Sequence, residues 1–272
     1  MDEKKYPEPV EALVVILITF GVVLAIAFIV AIFLFTLSPE MTLGSNTKLI
    51  SILGGIPLLV VPIIYIKIKK YNPRELFRLY PVSNDIIFLS ILIGLTIGPL
   101  SDELDRLIQI IIPLPQWFIE QLTFMQANSA TDWILLFLGV VALAAISEEF
   151  VFRGFLQVTL ERKGDVTRAV ILASISWTLI HINPYWAIQI FLMGIIIGFI
   201  AWRTNSIIPP VIVHALNNFM SLLFFNFGDK LDWYLMGEHV TPWILVVSLA
   251  VLVWSIRKMT AIYRAAQQDL AH

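Results

Sequence analysis

The sequence predicts an all-α membrane protein, a polytopic helical bundle with about eight transmembrane helices. Of its 272 residues, 58% are hydrophobic and only 14% are charged, whereas soluble domains are about 45–50% apolar and about 25% charged. Apolar runs recur along the whole chain, and about 20 such residues cross a ~30 Å hydrocarbon layer. No internal repeat or polar linker divides the chain, so we expect one integral membrane domain over residues 1–272.

Charge and cysteine content exclude several classes of protein. The formal net charge is −2, so no overall positive field attracts nucleic acid, and we expect no nucleic-acid partner. The chain has no cysteine, which excludes disulfides, thiolate metal sites and a cysteine nucleophile. Because the composition is that of a membrane protein, membrane lipids are the expected partners.

The prediction of eight transmembrane helices rests on eight apolar runs. The first holds no charged residue over 26 positions, which is longer than the ~7–15-residue core of a signal peptide, so we expect a retained helix. Three runs, the third, fifth and eighth, are shorter than ~20 residues; either they extend further or they are partly buried in protein. The runs are Ala12–Leu37, Leu49–Ile66, Ile86–Leu100, Trp133 to about Leu160, Ala169–Ile182, Trp186–Trp202, Ile207–Phe227 and Trp243–Ile256.

The distribution of lysine and arginine predicts the orientation, because cytoplasmic loops retain an excess of both. With eight crossings and an inner N-terminus, inner segments carry 14 of the 18 basic residues, Lys4 and Lys5 among them, and outer segments carry three. Both termini are thus predicted to be cytoplasmic, in a prokaryotic plasma membrane or, as the alternative, an internal eukaryotic one. In the acidic outer segment Ser101–Asp132, the stretches Leu107–Pro113 and Trp117–Met125 favour a short helix on the bilayer or in a surface loop.

Three charged residues interrupt the fourth apolar run at membrane depth, where an ionisable side chain indicates a functional site. Glu149 and Arg153 are spaced i,i+4 with the acid first, the favourable order for a helical ion pair. We expect this pair to hold the helix in register. Glu148 is rotated by about 100° from Glu149, so it faces different neighbours and is the candidate for chemistry.

Polar residues in later runs complete the candidate site. His181 lies in the fifth run, while His214 and Asn218 lie at i,i+4 on one face of the seventh. Gly194 and Gly198, spaced as GxxxG in the sixth, are expected to let helices approach closely. One difficulty stands: measured from the run starts, His181 lies about 8 Å deeper than His214 on the helical rise.

These residue types suit hydrolysis by an activated water. A carboxylate beside an imidazole is a competent general base, while an Asn amide and a second imidazole can donate hydrogen bonds to an oxyanion. No serine nucleophile elbow and no HExxH pattern is present. The catalytic core is expected at about residues 133–227.

The order of these residues resembles a known family. Glu148-Glu149-x-x-x-Arg153, Trp177-x-x-x-His181 and His214-x-x-x-Asn218 are similar to the three motifs of the CAAX-processing and bacteriocin-processing (CPBP) intramembrane proteases, the type II CAAX endopeptidase group. The resemblance covers about Ala142 to Phe219. Trp177 stands where the family more often has Phe.

The resemblance implies a glutamate-dependent endopeptidase. Glu148 and His181 would activate water, His214 and Asn218 would form the oxyanion hole, and Glu149, Arg153 and Trp177 would support them. The implied substrate is a peptide, a bacteriocin precursor or the C-terminus of a prenylated protein. No cofactor is expected, although a Glu-His-His set leaves zinc open.

Two other functions remain open from the residues alone. One is a proton-coupled transporter using Glu148 and the histidines as a relay, which predicts matched inverted halves that the sequence does not show. The other is a non-catalytic immunity or scaffold protein in which the same residues only hold the bundle together.

Overall fold

The computed structural model describes residues 6–37 and 43–269, and most of them lie in helices. A two-stranded antiparallel hairpin, β1 (Leu235–Met236) and β2 (His239–Val240), is the only sheet within these ranges. The all-α class is confirmed. The helices are α1 (Pro9–Leu37), α2 (Leu43–Lys69), α3 (Pro73–Leu76), α4 (Asn84–Ile111), α5 (Gln116–Leu122), α6 (Ala130–Lys163), α7 (Val166–Ile180), α8 (Ala187–Thr204), α9 (Ile208–Phe227) and α10 (Pro242–Asp269).

Seven of the described helices are long and apolar enough to cross a membrane: α1, α2, α4, α6, α8, α9 and α10. The remaining predicted span, the fifth run, corresponds to α7, an apolar helix of only 15 residues, or about 22 Å at the helical rise. The other two short runs extend beyond their predicted ends, since α4 has 28 residues and α10 has 28. The polytopic membrane class is confirmed, with seven long helices and one short one.

The segment between the third and fourth spans differs from the prediction. Most of the stretch Leu107–Pro113 is not a separate surface helix, because α4 continues without a break to Ile111. Pairs at i,i+4 stabilise this extension: Arg106 donates to Asp102 at 3.3 Å, and Gln109 donates to Asp105. Only α5 and the 3-10 turn Thr123–Met125 form a short helical stretch of their own.

The described residues divide into two compact units. The first comprises the chain up to Leu79 together with Pro115–Ala169, and its central element is α6 packed on α2. A Cβ on Gly55 of α2 would lie 2.7 Å from the Leu143 side chain of α6, so only a glycine allows this approach. Buried Lys48 of α2 pairs with Asp132 at 3.0 Å and ties the first turn of α6 to α2.

The second unit comprises Tyr80–Leu114 and the described chain from Val170. In it α4 packs along α9 through two glycines spaced as GxxxG. A Cβ on Gly94 would lie 2.8 Å from Leu216, and a Cβ on Gly98 would lie 3.3 Å from Met220. Small residues at this spacing let helix backbones approach closely in membranes.

The prediction of a single membrane domain and the predicted orientation stay predictions. Lys4, Lys5 and the last residue, His272, lie outside the described residues.

Candidate functional site

Helix α6 carries the two glutamates, and its backbone departs from α-helical geometry on both sides of them. Its N-cap residue is Ser129, whose hydroxyl accepts from the Asp132 N–H at 3.1 Å. Two π turns, Phe137–Leu143 and Phe150–Leu156, flank the α-helical segment Ala144–Glu149. Within membrane helices such π turns are uncommon and occur frequently at functional sites.

The predicted ion pair on α6 is present. Arg153 Nη1 donates to Glu149 Oε1 at 3.1 Å, and both side chains are fully buried. Each charge offsets the cost of burying the other. Glu148, the neighbouring residue, is half-buried, so this carboxylate lies next to a dry ion pair without being enclosed itself.

A loop of the same unit packs on the second π turn. A Cβ on Gly154 would lie 3.1 Å from the Phe77 Cα and 3.3 Å from the Leu76 carbonyl oxygen. The rings of Phe77 and Phe150 lie 5.0 Å apart. The segment around α3 therefore contacts the backbone of α6 directly, within six residues of Glu148.

Two helical turns beyond Gly154, a buried ion pair holds the same loop against α6. Arg78 is 2% exposed and donates to Glu161, which also accepts from Gln157 at 2.8 Å. Burial lowers the pKa of Arg78, while the charge of Glu161 opposes that shift. A guanidinium stays protonated even when buried, so Arg78 and Glu161 remain an ion pair that holds the loop against α6.

In the second unit, Trp177 connects the two candidate histidines. Its indole is 2% exposed and lies perpendicular to the His181 ring at 5.3 Å and steeply inclined to the His214 ring at 5.2 Å. The two histidines come from different helices yet contact one side chain. Both imidazoles therefore lie beside one indole, although the run starts place the two histidines about 8 Å apart in depth.

His181 lies just after the end of α7, in a turn. Its ring Nδ1 lies 2.7 Å from the Trp177 carbonyl oxygen, and because a carbonyl only accepts, Nδ1 carries the proton. In the neutral ring Nε2 is then the basic nitrogen. The Asn183 side chain accepts from the N–H groups of Tyr185 and Trp186, which stabilises the turn after His181.

His214 and Asn218 lie one turn apart on α9, as predicted. His214 is 3% exposed, whereas Asn218 is half-buried. The neighbouring face of α9 packs on α4, where a Cβ on Gly94 would also lie 3.3 Å from the Val213 Cα. The glycines of α4 thus allow the close packing that positions the helix carrying His214 and Asn218.

Of the two glycines predicted to mediate close approach, Gly194 does so: a Cβ there would lie 2.9 Å from Ser174 of α7. Ser174 precedes Trp177 by one turn, so α8 supports the part of α7 that holds the indole. The sequence prediction missed Gly94, Gly98 and Gly154. The first two share the GxxxG spacing, which was the available signal, but Gly154 has no such pattern.

The structure brings the candidate residues together in two groups. Glu148, Glu149 and Arg153 share α6 in the first unit, and Trp177, His181, His214 and Asn218 belong to the second. No group of three or more His, Asp or Glu side chains with metal-binding geometry occurs in the part of the chain that is described.

The fold and these residues define a class: a polytopic helical membrane protein with a glutamate beside a buried ion pair and two histidines on one indole. Residues 130–220 match the family model described as type II CAAX prenyl endopeptidase Rce1-like. The match covers about a third of the chain and confirms the resemblance that the three motifs indicated. Over this segment the chain is similar to the CAAX-type intramembrane proteases that the family model describes. No curated protein and no solved structure matches the chain.

Proposed function

We propose that the protein is an intramembrane endopeptidase that hydrolyses a peptide bond with a water activated by Glu148 and His181. The observation that supports this most directly is the Rce1-like match over residues 130–220, which contains all three motifs in order. The half-buried Glu148 carboxylate beside the fully buried Glu149–Arg153 pair agrees with it.

In the proposed reaction, Glu148 accepts a proton from water while Nε2 of His181 holds the same water. The water oxygen then attacks the scissile carbonyl carbon, and the carbonyl becomes an oxyanion. An N–H of His214 and the amide of Asn218 donate hydrogen bonds to that oxyanion, where such donors stabilise developing charge. The proton passes to the departing amine as the C–N bond breaks, leaving a carboxylate and an amine.

The Glu149–Arg153 pair supports this reaction without joining it. Because Arg153 neutralises Glu149, the adjacent Glu148 does not share its site with an uncompensated negative charge. The π turns on either side set which way Glu148 points around the helix axis. Trp177 sets the spacing of the two histidines.

The proposed substrate is the C-terminal segment that follows a prenylated cysteine, the substrate class named in the matched family's description. A membrane protein suits it, because a prenyl chain partitions into the bilayer and brings the peptide to membrane depth. Processing of an unprenylated peptide, including a bacteriocin precursor, is the second candidate from the same resemblance.

The experiment is a cleavage assay with purified protein in liposomes. Three peptides are compared: a farnesylated CAAX peptide, the same peptide without the lipid, and an unrelated apolar peptide. Release of the last three residues from the farnesylated peptide alone supports CAAX processing, and cleavage of the other two supports broader peptide processing. No cleavage of any peptide, with the protein folded, would favour the non-catalytic alternative.

Measuring the metal content of active protein tests the alternative in which the reaction requires zinc. We expect full activity in protein that carries far less than one zinc per chain and after treatment with a strong chelator. Loss of activity on chelation, restored by zinc, would instead make Glu148, His181 and His214 the candidate ligands.

A further inference from the structure

One face of α10 forms a shallow groove of about 420 Å³. Its lining residues recur every three or four positions, the spacing of a single helix face. They are Ala250, Val253, Trp254, Arg257, Lys258 and Ala261.

The groove lies where a lipid headgroup would be expected. The apolar run Trp243–Ile256 ends at Arg257 and Lys258, and Lys258 lies about 24 Å along the helix from Pro242. That distance is about 6 Å short of a ~30 Å hydrocarbon layer, a gap that long basic side chains span by extending toward the headgroups. Trp254 lies one turn before the charges and is 52% exposed, as aromatic side chains at a membrane interface are.

The two charges in the groove differ from Lys163 and Arg168, two basic residues at the ends of other helices. Lys163 pairs with Glu8 at 3.0 Å, and Arg168 pairs with Asp165 at 3.1 Å. Arg257 and Lys258 form no ion pair within residues 6–37 and 43–269, and no acidic side chain lines the groove. Two adjacent positive charges thus stand beside an apolar, outward-facing surface.

We propose that this groove binds the headgroup of an anionic phospholipid. Arg257 would bind the phosphate through two of its N–H groups, a geometry that guanidinium and phosphate share. Lys258 would supply a second positive charge. The ring of Trp254 and the side chain of Val253 would contact the glycerol and the upper acyl chains.

Charge favours a lipid over a second copy of the chain. A symmetric dimer through this face would bring the same patch of each copy together, placing Arg257 and Lys258 opposite like charges. An anionic lipid offers both the complementary charge and an apolar tail for the apolar half of the groove. Each basic side chain near an anionic surface contributes about 1 kcal/mol, which corresponds to about a fivefold change in affinity.

The test uses the tryptophan of the groove as a reporter. The full-length protein is placed in phosphatidylcholine bilayers that contain a fixed fraction of brominated phosphatidylglycerol or brominated phosphatidylcholine. Bromine quenches nearby indoles, and the difference between the intact protein and the Trp254→Phe variant isolates the Trp254 signal. We expect stronger quenching by the brominated anionic lipid, with a relative affinity about tenfold or more above that for phosphatidylcholine.

Two charge variants complete the test. Arg257→Gln with Lys258→Gln should abolish most of this preference, while the matched control Lys163→Gln with Arg168→Gln should keep it. Inorganic phosphate added to the vesicles should not compete, because it lacks the acyl chains; full competition would reassign the groove to free phosphate. Equal quenching by both lipids, or a preference unchanged in the Arg257/Lys258 variant, would overturn the proposal. Because the readout is fluorescence, the result does not depend on proteolysis.

Discussion

The ring of His214 lies 5.2 Å from the indole of Trp177, although the two residues belong to different helices. The same indole contacts His181 at 5.3 Å. A single buried side chain thus sets the separation of two imidazoles that the proposed mechanism uses for different tasks, one on water and the other on the oxyanion.

Replacing Trp177 should affect turnover more than binding. We expect Trp177→Leu, which removes the ring but keeps apolar volume, to lower kcat about tenfold or more with little change in KM, because mispositioned acid–base groups lose much of their effect. Trp177→Phe should keep most activity. Steady-state kinetics of both variants, alongside Leu222→Ala as an equally buried control on α9, tests this. If Trp177→Leu and Leu222→Ala have the same kcat, Trp177 contributes only to packing and does not position the histidines.

The oxyanion assignment predicts large losses at two positions on one helix. His214→Ala and Asn218→Ala should each lower kcat by about 10²-fold or more, as the removal of one oxyanion donor does in a serine protease. Asn226→Ala is the matched control, because Asn226 lies on the same helix and its amide donates to the Leu222 carbonyl. If Asn218→Ala behaves like Asn226→Ala, Asn218 is not an oxyanion donor.

The Glu149–Arg153 pair predicts a distinct pattern in stability. Glu149→Leu or Arg153→Met alone leaves one buried charge uncompensated and should cost about 3–5 kcal/mol. The double variant Glu149→Leu/Arg153→Met should recover most of that loss, since neither charge remains. Reversible unfolding in mixed micelles measures the three variants. Additive losses in the double variant would show that the pair is not a coupled unit.

The close packing around Gly154 predicts that adding a single methyl group there is destabilising. In Gly154→Ala the new Cβ would lie 3.1 Å from the Phe77 Cα, and because backbone cannot move aside cheaply, the variant should lose about 1–3 kcal/mol of stability. Activity should fall as well, since the second π turn follows Glu149 directly. Gly21→Ala is the control, because a Cβ there meets nothing within 4 Å; equal stability of the two variants would contradict the close packing of the loop on α6.

Much of the fold follows from the sequence alone. Runs of about 20 apolar residues specify membrane helices because the bilayer leaves few other backbone structures, and charges within such runs identify the candidate site. The ends of helices were less predictable. The predicted end of α4 lies too early because the segment after Leu100 is acidic. The i,i+4 spacing of Asp102 with Arg106 and of Asp105 with Gln109 indicates that α4 continues through it.

Other features of the site have no local sequence signal. The π turns of α6 arise where backbone hydrogen bonds shift to a carbonyl five residues back, as from Gln157 to Phe152, and no proline or repeated glycine marks them. The close contact of Gly154 with Phe77 joins positions far apart in the chain. The contact of Trp177 with His214 likewise depends on which helices are neighbours, which motif spacing does not specify.

The role of Glu148 is the central claim, and the turnover of three variants on the best cleaved peptide tests it most directly. Glu148→Gln should lower kcat by about 10²–10⁴-fold, the contribution of a general base, while the protein remains folded by its unfolding transition. Glu148→Asp, which keeps the carboxylate but shortens its reach, should fall between that variant and the unmodified protein. Glu120→Gln, on the exposed face of α5, should be unaffected. Full activity in Glu148→Gln would contradict the account.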